Sequence, residues 1–176
     1  MQAKIQTKRL ILRRFAARDW QPLMDYAGAR DVAIATARLP HPYTYEDAIN
    51  WIELTMLKAK AEHIYAIADL DDHCIGCVSL ISNPSGWELG YWLGKPHWHQ
   101  GYMREATTTL LTEARQNIAP TKISATVFKD NPRSLALVLS LGFSIIGQDS
   151  EFCLARGHDV PTHKLTLKFE EESPDA

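Results

Sequence analysis

Residues 94–106, GKPHWHQGYMREA, have the composition of an anion-binding turn. They follow an apolar run typical of a strand and lead through a polar, glycine-punctuated loop into a helical pattern. The first turn of a helix presents unpaired backbone N–H groups and about half a positive charge, so it can hold a phosphate without a lysine. Neither G-x-G-x-x-G nor G-x-x-x-x-G-K-[ST] occurs, which excludes the dinucleotide fingerprint and the P-loop. An ordinary strand-to-helix loop is the alternative interpretation.

Hydrophobic periodicity predicts the elements that precede this turn. Residues 9–14 (RLILRR) predict a strand, and residues 63–69 and 74–81 predict a hairpin. Two helices are predicted by apolar residues at helical spacing, namely Trp20, Leu23, Met24 and Ala27, then Ala48, Ile49, Ile52 and Met56, the second helix capped by Thr44 with Asp47. In the third antiparallel strand, residues 87–93, alternation separates Trp87, Leu89, Tyr91 and Leu93 from Glu88, Gly90 and Trp92.

The elements after the turn complete an α/β (α+β) pattern. A helix begins at Tyr102 and stops before Pro120, and a shorter helix in residues 131–141 ends at Gly142. Residues 123–127, 143–147 and 163–169 predict strands. The order is strand, two helices, three strands, helix, strand, helix and two strands, which predicts a sandwich built on one mixed sheet.

Composition limits the functional classes. The chain has 176 residues with a formal net charge of -2, and 45% of its residues are hydrophobic. These values predict one domain over residues 1–169, with an acidic, disordered tail over residues 170–176. The charge offers no basic field for nucleic acid, and no apolar run is long enough for a membrane span. Without a secretory pattern at the N-terminus we expect a cytoplasmic protein with neither nucleic acid nor membrane as partner.

The three cysteines predict neither a disulfide framework nor a metal site. Cys74 and Cys77 form a C-x-x-C pair, but there is no second pair, and Cys153 lies far away in the sequence. A separation of three on a strand places two side chains on opposite faces. We therefore expect no metal and no redox chemistry at this pair.

Three segments together resemble the GNAT acetyltransferases, in particular the branch that acetylates ribosomal-protein N-termini. They are residues 7–14 (TKRLILRR), residues 88–106 and residues 131–143 (NPRSLALVLSLGF), and the resemblance extends over about residues 7–169. It implies the GNAT fold, a mostly antiparallel sheet of about seven strands flanked by about four helices. It also implies acetyl-CoA as co-substrate, no metal, and at the family level a homodimer formed through the C-terminal strands.

The resemblance also assigns roles to individual residues. Backbone amides of the loop would wrap the pyrophosphate of acetyl-CoA, and Asn131 and Ser134 would contact the pantetheine arm and the sulfur. Tyr43 precedes the second helix, in the segment where the family builds its acceptor groove. The cofactor-binding positions implied are Trp92, Leu93, Gln100, Gly101, Tyr102, Met103, Arg104, Asn131 and Ser134. The tyrosine acid of other branches is replaced here by Val138, which leaves Ser134 or water as the acid.

Acetyl transfer to an amine requires a neutral amine. With reference pKa values of about 7.8 for an α-amine and 10.4 for lysine, roughly a seventh of the first but under a thousandth of the second is neutral at pH 7. A modest base therefore suffices for a protein N-terminus. We expect Glu88 to be this base, through a water, and to contact the substrate, although a solvated strand carboxylate is the alternative.

The predicted function is transfer of an acetyl group from acetyl-CoA to a primary amine, by direct attack in a ternary complex. The acceptor is a protein N-terminal α-amine or a small amine, and Glu88, Asn131 and Ser134 are the candidate catalytic residues. A non-catalytic acyl-CoA-binding regulatory module is the alternative, because such a module would keep the loop without effective acid and base groups.

Overall fold

The computed structural model describes residues 1–58, 62–84 and 86–169. Strands from these ranges form one mixed sheet. The predicted acidic tail lies outside these residues. Eight strands form the sheet within the described ranges: β1 (Lys4–Gln6), β2 (Ile11–Arg13), β3 (His63–Ala68), β4 (Cys74–Asn83), β5 (Gly86–Leu93), β6 (Lys122–Phe128), β7 (Ser144–Cys153) and β8 (His158–Lys168).

The spatial order of the strands is β1-β2-β3-β4-β5-β6-β8-β7. All neighbours are antiparallel except β5 and β6, which run parallel. The predicted fold class is confirmed. The strand absent from the prediction is β1, which has three residues and pairs Lys4 with Arg13.

Helices cover both faces of the sheet. They are α1 (Trp20–Pro22), α2 (Arg30–Ala33), α3 (Tyr45–Leu57), α4 (Tyr102–Asn117) and α5 (Pro132–Ser140). A 3₁₀ turn over Ala17–Asp19 precedes α1 and a π-helical turn over Leu23–Ala27 follows it, so the first predicted helix is present as an irregular helical segment. Within the described ranges, no helix has the length and hydropathy of a membrane span.

Two hydrophobic clusters lie on opposite faces of the sheet. One joins α4 and α5 to the sheet, and Leu110 and Val138 are fully buried in it. The other packs the N-terminal helices against Ala66 and Trp92. Leu89 belongs to the first cluster and Trp92 to the second, which confirms the predicted alternation along β5.

Helix α3 begins as predicted but turns a different face to the core at its end. Thr44 and Asp47 form the predicted capping box, in which the Asp47 N–H donates to Thr44 Oγ1 at 3.1 Å. Met56 is predicted to continue the apolar stripe of Ala48 and Ile52, but it is 63% exposed. Thr55 is buried instead, and its hydroxyl donates to the carbonyl of Ile52 at 2.8 Å.

The prediction that Cys74 and Cys77 lie on opposite faces is also wrong. The register of β3 and β4 shifts, so that Ala66 faces Cys77 while Ala68 faces Cys74. This bulge adds one residue to β4 and returns both cysteines to the same cluster. All three cysteines are free and buried.

Candidate active site

The site begins where the two parallel strands separate. Strands β5 and β6 are paired only at Trp87 with Ile123 and at Glu88 with Ser124. Beyond these pairs, β5 stays bonded to β4 as far as Leu93, and β6 stays bonded to β8 as far as Phe128. Each strand is therefore held by its other neighbour while a gap opens between them. The edge of β5 facing the gap is free of pairing with β6 and can bind an extended ligand.

A cavity of about 400 Å³ adjoins this gap. Its walls come from β4, β5, β6, α3, the start of α5, and residues 35–40, which we name the strap. Five of the predicted site residues line it: Tyr43, Glu88, Trp92, Asn131 and Ser134. The structure thus brings together side chains that lie up to 91 positions apart in the sequence.

Glu88 lies at the last position of β5 that pairs with β6, and it is partly exposed at the cavity. Its Oε1 accepts a hydrogen bond from the Thr126 hydroxyl at 3.2 Å, and its Oε2 lies 3.7 Å from the Arg38 guanidinium. Lys164 donates to Thr126 Oγ1 at 3.2 Å, which leaves the Thr126 proton for Glu88. A carboxylate with these neighbours is held in place and can accept a proton from a bound water or amine.

The N-terminus of α5 provides the second polar group. Asn131 caps this helix, because its Oδ1 accepts from the Ser134 N–H at 3.1 Å. The Ser134 hydroxyl makes a different contact, 2.7 Å from the Tyr91 hydroxyl of β5. Burial raises the pKa of Tyr91 to about 12, a rise that the Ser134 hydrogen bond partly offsets. Tyr91 therefore stays protonated at neutral pH.

The predicted phosphate turn lies between β5 and α4. Gly101 precedes the helix with φ 78° and His99 has φ 62°, so both are in the left-handed region. Helix α4 starts at Tyr102, and its first-turn N–H groups lack carbonyl partners within the helix. Trp98 anchors the turn, donating from Nε1 to the Leu93 carbonyl at 2.7 Å.

Arg9, from the segment before β2, holds this turn from the other side. It donates to the Gln100 carbonyl at 2.8 Å and to the Glu105 carboxylate at 2.7 Å, and its guanidinium lies 4.6 Å from the centre of the Tyr102 ring. The Thr7 hydroxyl also donates to Glu105, at 2.6 Å. Burial alone would raise the pKa of Glu105, but the hydrogen bonds from Thr7 and Arg9 outweigh it and lower that pKa. Residues 7–14, the first of the three segments that resemble the GNAT family, thus hold the turn before α4 in place.

The strap forms one wall of the cavity. The Leu154 N–H donates to the Ala37 carbonyl at 3.0 Å, and Arg156 Nε donates to the Ile34 carbonyl at 2.8 Å. Arg156 also pairs with Asp130 at 2.5 Å, next to the cap of α5. The hairpin of β7 and β8 therefore fixes both the strap and the start of α5.

Tyr43 lies in the wall of the cavity near α3. Desolvation by burial, with smaller contributions from Asp47 and Cys77, raises its pKa well above the usual range. The other predicted cofactor positions, Leu93, Gln100, Gly101, Tyr102, Met103 and Arg104, are not among the cavity-lining residues, since they form the strand end and the turn beside it.

Several functional candidates are absent from the sequence-based prediction. Arg38, Tyr91 and Thr126 line the cavity and contact predicted site residues. The alternation along β5 predicts that Tyr91 and Glu88 lie on different faces of the strand. The contact between Tyr91 and Ser134 could not be predicted in this way, because the two residues are 43 positions apart. Within the described ranges, the residues that could share an ion are Asp69, Asp71 and His73, an exposed turn remote from the cavity lining.

Comparison with known proteins identifies the family of this chain. The family model of the acetyltransferase (GNAT) domain matches residues 9–144. The N-acetyltransferase p20 of Bacillus licheniformis, itself uncharacterised, is 27% identical over 168 residues, which cover 93% of this chain and 94% of that protein.

Two solved structures illustrate the shared fold. The ribosomal-protein-S5-alanine acetyltransferase of Vibrio fischeri has a TM-score of 0.80 at 18% identity, covering 98% of this chain and 100% of that one. The spermidine N-acetyltransferase of Vibrio cholerae, solved with CoA and spermine, has a TM-score of 0.77 at 19% identity, covering 92% and 96%. With a family model that spans more than half of its length, this chain belongs to the GNAT acetyltransferase family.

Proposed function

We propose that this protein transfers an acetyl group from acetyl-CoA to a primary amine, by direct attack in a ternary complex. The observation that carries the proposal is the gap between β5 and β6, with Glu88 at its closed end and Ser134 beyond its open end, on one cavity. An extended thioester arm in the gap would present its carbonyl between a proton acceptor and a hydroxyl donor. The amine would approach from the strap side.

The turn before α4 fits the pyrophosphate of acetyl-CoA. Residues 100–104 supply backbone N–H groups at the start of a 16-residue helix, whose N-terminus carries partial positive charge. Gly101 has φ 78°, in the left-handed region that favours glycine, so the residue type at this position follows from the backbone conformation of the turn. Trp92 and Leu93 form the end of the β5 edge that would guide the arm.

Glu88 accepts the amine proton through a water, as the sequence predicts. A base of this kind is sufficient for an α-amine, about a seventh of which is already neutral at pH 7, with a reference pKa of about 7.8. As the nitrogen bonds to the carbonyl carbon, the C–S bond breaks and its electron pair passes to sulfur. Ser134 donates a hydrogen bond to that sulfur, Asn131 orients the arm, and Tyr43 lines the acceptor groove.

The acceptor we propose is a protein N-terminal α-amine or a small amine. The resemblance to the ribosomal-protein branch favours the first class, and the Vibrio fischeri neighbour carries that description. The spermidine acetyltransferase neighbour supports the second class. Both reactions draw on acetyl-CoA of the cytoplasm, which is the location proposed for this protein.

A homodimer through the C-terminal strands is the proposed assembly. Strand β7 is the last strand of the sheet order and carries the exposed side chains of Ile145, Ile146 and Phe152. Antiparallel pairing of β7 with its own copy about Gln148 and Asp149 would place Ile145 opposite Phe152 and cover both. Light scattering tests this assembly, and a monomer mass at all concentrations would refute it.

The test of the proposed function compares Glu88→Gln with Glu53→Gln, a control on the exposed part of α3. We expect Glu88→Gln to lower the amine-dependent release of CoA by about 10²–10⁴-fold, the range for a general base. The acetyl-CoA dissociation constant should stay unchanged in both variants. Unchanged turnover in Glu88→Gln would remove this residue from the mechanism.

The same assay on the unmodified protein separates the regulatory alternative. An enzyme releases CoA faster when an amine from the panel is added, whereas a non-catalytic module binds acetyl-CoA and shows no such increase. Saturating acetyl-CoA at 100 times its dissociation constant should add about 2.7 kcal/mol to the free energy of unfolding. Absence of any thermal shift would refute both interpretations.

A further inference from the structure

The hydroxyl groups of Tyr91 and Ser134 form a partly buried pair at the open end of the gap. Their oxygens are 2.7 Å apart, and the Tyr91 oxygen is 3.4 Å from the Ser134 carbonyl oxygen. Tyr91 packs against the core cluster on the α4 side of the sheet, while both residues line the cavity. The pair therefore joins β5 to the first turn of α5 at the place where the thioester sulfur is proposed to lie.

A serine hydroxyl rotates about its Cβ–Oγ bond and has one proton to give. In the first turns of a helix, a serine hydroxyl also competes for nearby backbone carbonyls. A phenol that donates to the Ser134 oxygen occupies one of its acceptor positions from the β5 side. The Ser134 proton is then directed away from Tyr91, and the open side of this pair is the cavity.

We propose that Tyr91 is a positioning residue, which donates to Ser134 Oγ and so directs the Ser134 hydroxyl at the sulfur of the leaving thiolate. This inference rests on the proposed function. It assigns to Tyr91 the task of orienting the Ser134 hydroxyl, whose contact within the described residues is with the Tyr91 oxygen.

The chemical balance requires no proton from Tyr91. The amine nitrogen bonds to the carbonyl carbon, the C–S pair passes to sulfur, and the amine proton leaves by way of Glu88 and water. The sulfur accepts a hydrogen bond from Ser134, and CoA takes its proton from solvent water after it departs. The pKa of Tyr91, about 12, exceeds the roughly 8.5 of a thiol, so a net transfer from this phenol would be unfavourable by roughly three orders of magnitude.

The test is a double-mutant cycle of Tyr91→Phe and Ser134→Ala. We expect each single variant to lower kcat about 5- to 20-fold and to leave the KM for the amine within about twofold, because the donor is used when charge develops on sulfur. The double variant should be no slower than Ser134→Ala, since Tyr91 acts through Ser134. Tyr65→Phe is the matched control, because it removes another buried hydroxyl, one that donates to the Gln2 carbonyl at 2.6 Å.

Each contrary outcome has a distinct meaning. If Tyr91→Phe lowers kcat as strongly in the Ser134→Ala background as in the parent, its role is structural and the inference is overturned. An unchanged kcat in either single variant also overturns it. Absence of amine-dependent CoA release in the parent protein, by contrast, refutes the proposed function before the cycle is measured.

Discussion

Replacing Arg9 by methionine should weaken acetyl-CoA binding without slowing the chemical step. The guanidinium donates to the Gln100 carbonyl, pairs with Glu105 and stacks on Tyr102, so it fixes three points of the turn before α4. Methionine keeps much of the aliphatic stem but removes every donor. Because Arg9 is not part of the cavity lining, the groups around Glu88 should be unaffected.

The size of the effect follows from these contacts. A hydrogen bond from a charged donor contributes about 1.5–3 kcal/mol, and an exposed cation–π contact about 0.5–1 kcal/mol. The Arg9 side chain is 41% exposed, so its ion pair with Glu105 contributes only the roughly 0–1 kcal/mol of stabilisation that is typical of a surface ion pair. Part of this stabilisation orders the turn before the ligand arrives. Its loss should make the free energy of acetyl-CoA binding less favourable by about 1.4–2 kcal/mol. That amount corresponds to a dissociation constant roughly 10- to 30-fold higher.

The assay is calorimetric titration of CoA and acetyl-CoA into Arg9→Met and into Lys8→Met, an exposed neighbour that serves as control. Steady-state turnover at saturating acetyl-CoA should remain within about twofold of the parent. The reasoning is refuted if Arg9→Met binds acetyl-CoA as tightly as Lys8→Met while its melting temperature falls. Such a result would mean that Arg9 stabilises the fold but that the turn is ordered without it.

Two further predictions concern the groups that hold the site. The pKa of Glu105 is lowered on folding, so the stability it contributes is present above its unfolded pKa of about 4.3 and is lost as pH falls through the lower folded value. In urea unfolding, the parent should therefore have a higher free energy of unfolding than Glu105→Gln, by an amount that is constant above about pH 5 and decreases below it. A difference in free energy of unfolding that does not depend on pH would contradict this assignment. Arg156→Met removes the bonds to Ile34 and Asp130. It should lower the free energy of chemical unfolding by about 1–3 kcal/mol and raise the KM for the amine several-fold. An unchanged KM would show that the strap keeps its position without Arg156.

The fold was largely predictable because its longer elements carry strong periodicity. Helix α4 buries Ala106, Leu110 and Ala114 at spacings of four, as its stripe predicts, and the hairpin of β3 and β4 follows its β-branched runs. Short strand β1 carries too few residues to show any period. Met56 is exposed because the stripe of α3 rotates towards Thr55 at its end, which a count of apolar positions does not register.

The sequence predicted which residues lie at the candidate site better than it predicted the contacts between them. Alternation along β5 correctly placed Glu88 away from Leu89, and Asn131, which the family resemblance singled out, caps α5 and lines the cavity. The bulge that puts Cys74 and Cys77 on one face depends on the partner strand, so the sequence spacing alone misassigned them. The pairing of Arg156 with Asp130 likewise joins residues 26 positions apart, and neither residue type indicates its partner.

The location of the cavity follows from one parallel pair in an otherwise antiparallel sheet. Adjacent parallel strands have their carboxyl ends at the same edge, so β5 and β6 deliver their following segments side by side. The segment after β5 begins α4, and the segment after β6 begins α5, so two helix N-termini flank the gap.

The contact of Arg133 with the Trp98 ring, 5.3 Å from guanidinium to ring centre, joins these two segments directly. Both segments also depend on groups from remote parts of the chain, Arg9 for the turn before α4 and Arg156 for the start of α5. An antiparallel neighbour in place of β6 would send its carboxyl end to the opposite edge, and Asn131 and Ser134 would then be separated from the phosphate turn. The parallel pair is therefore what allows one extended ligand to contact both.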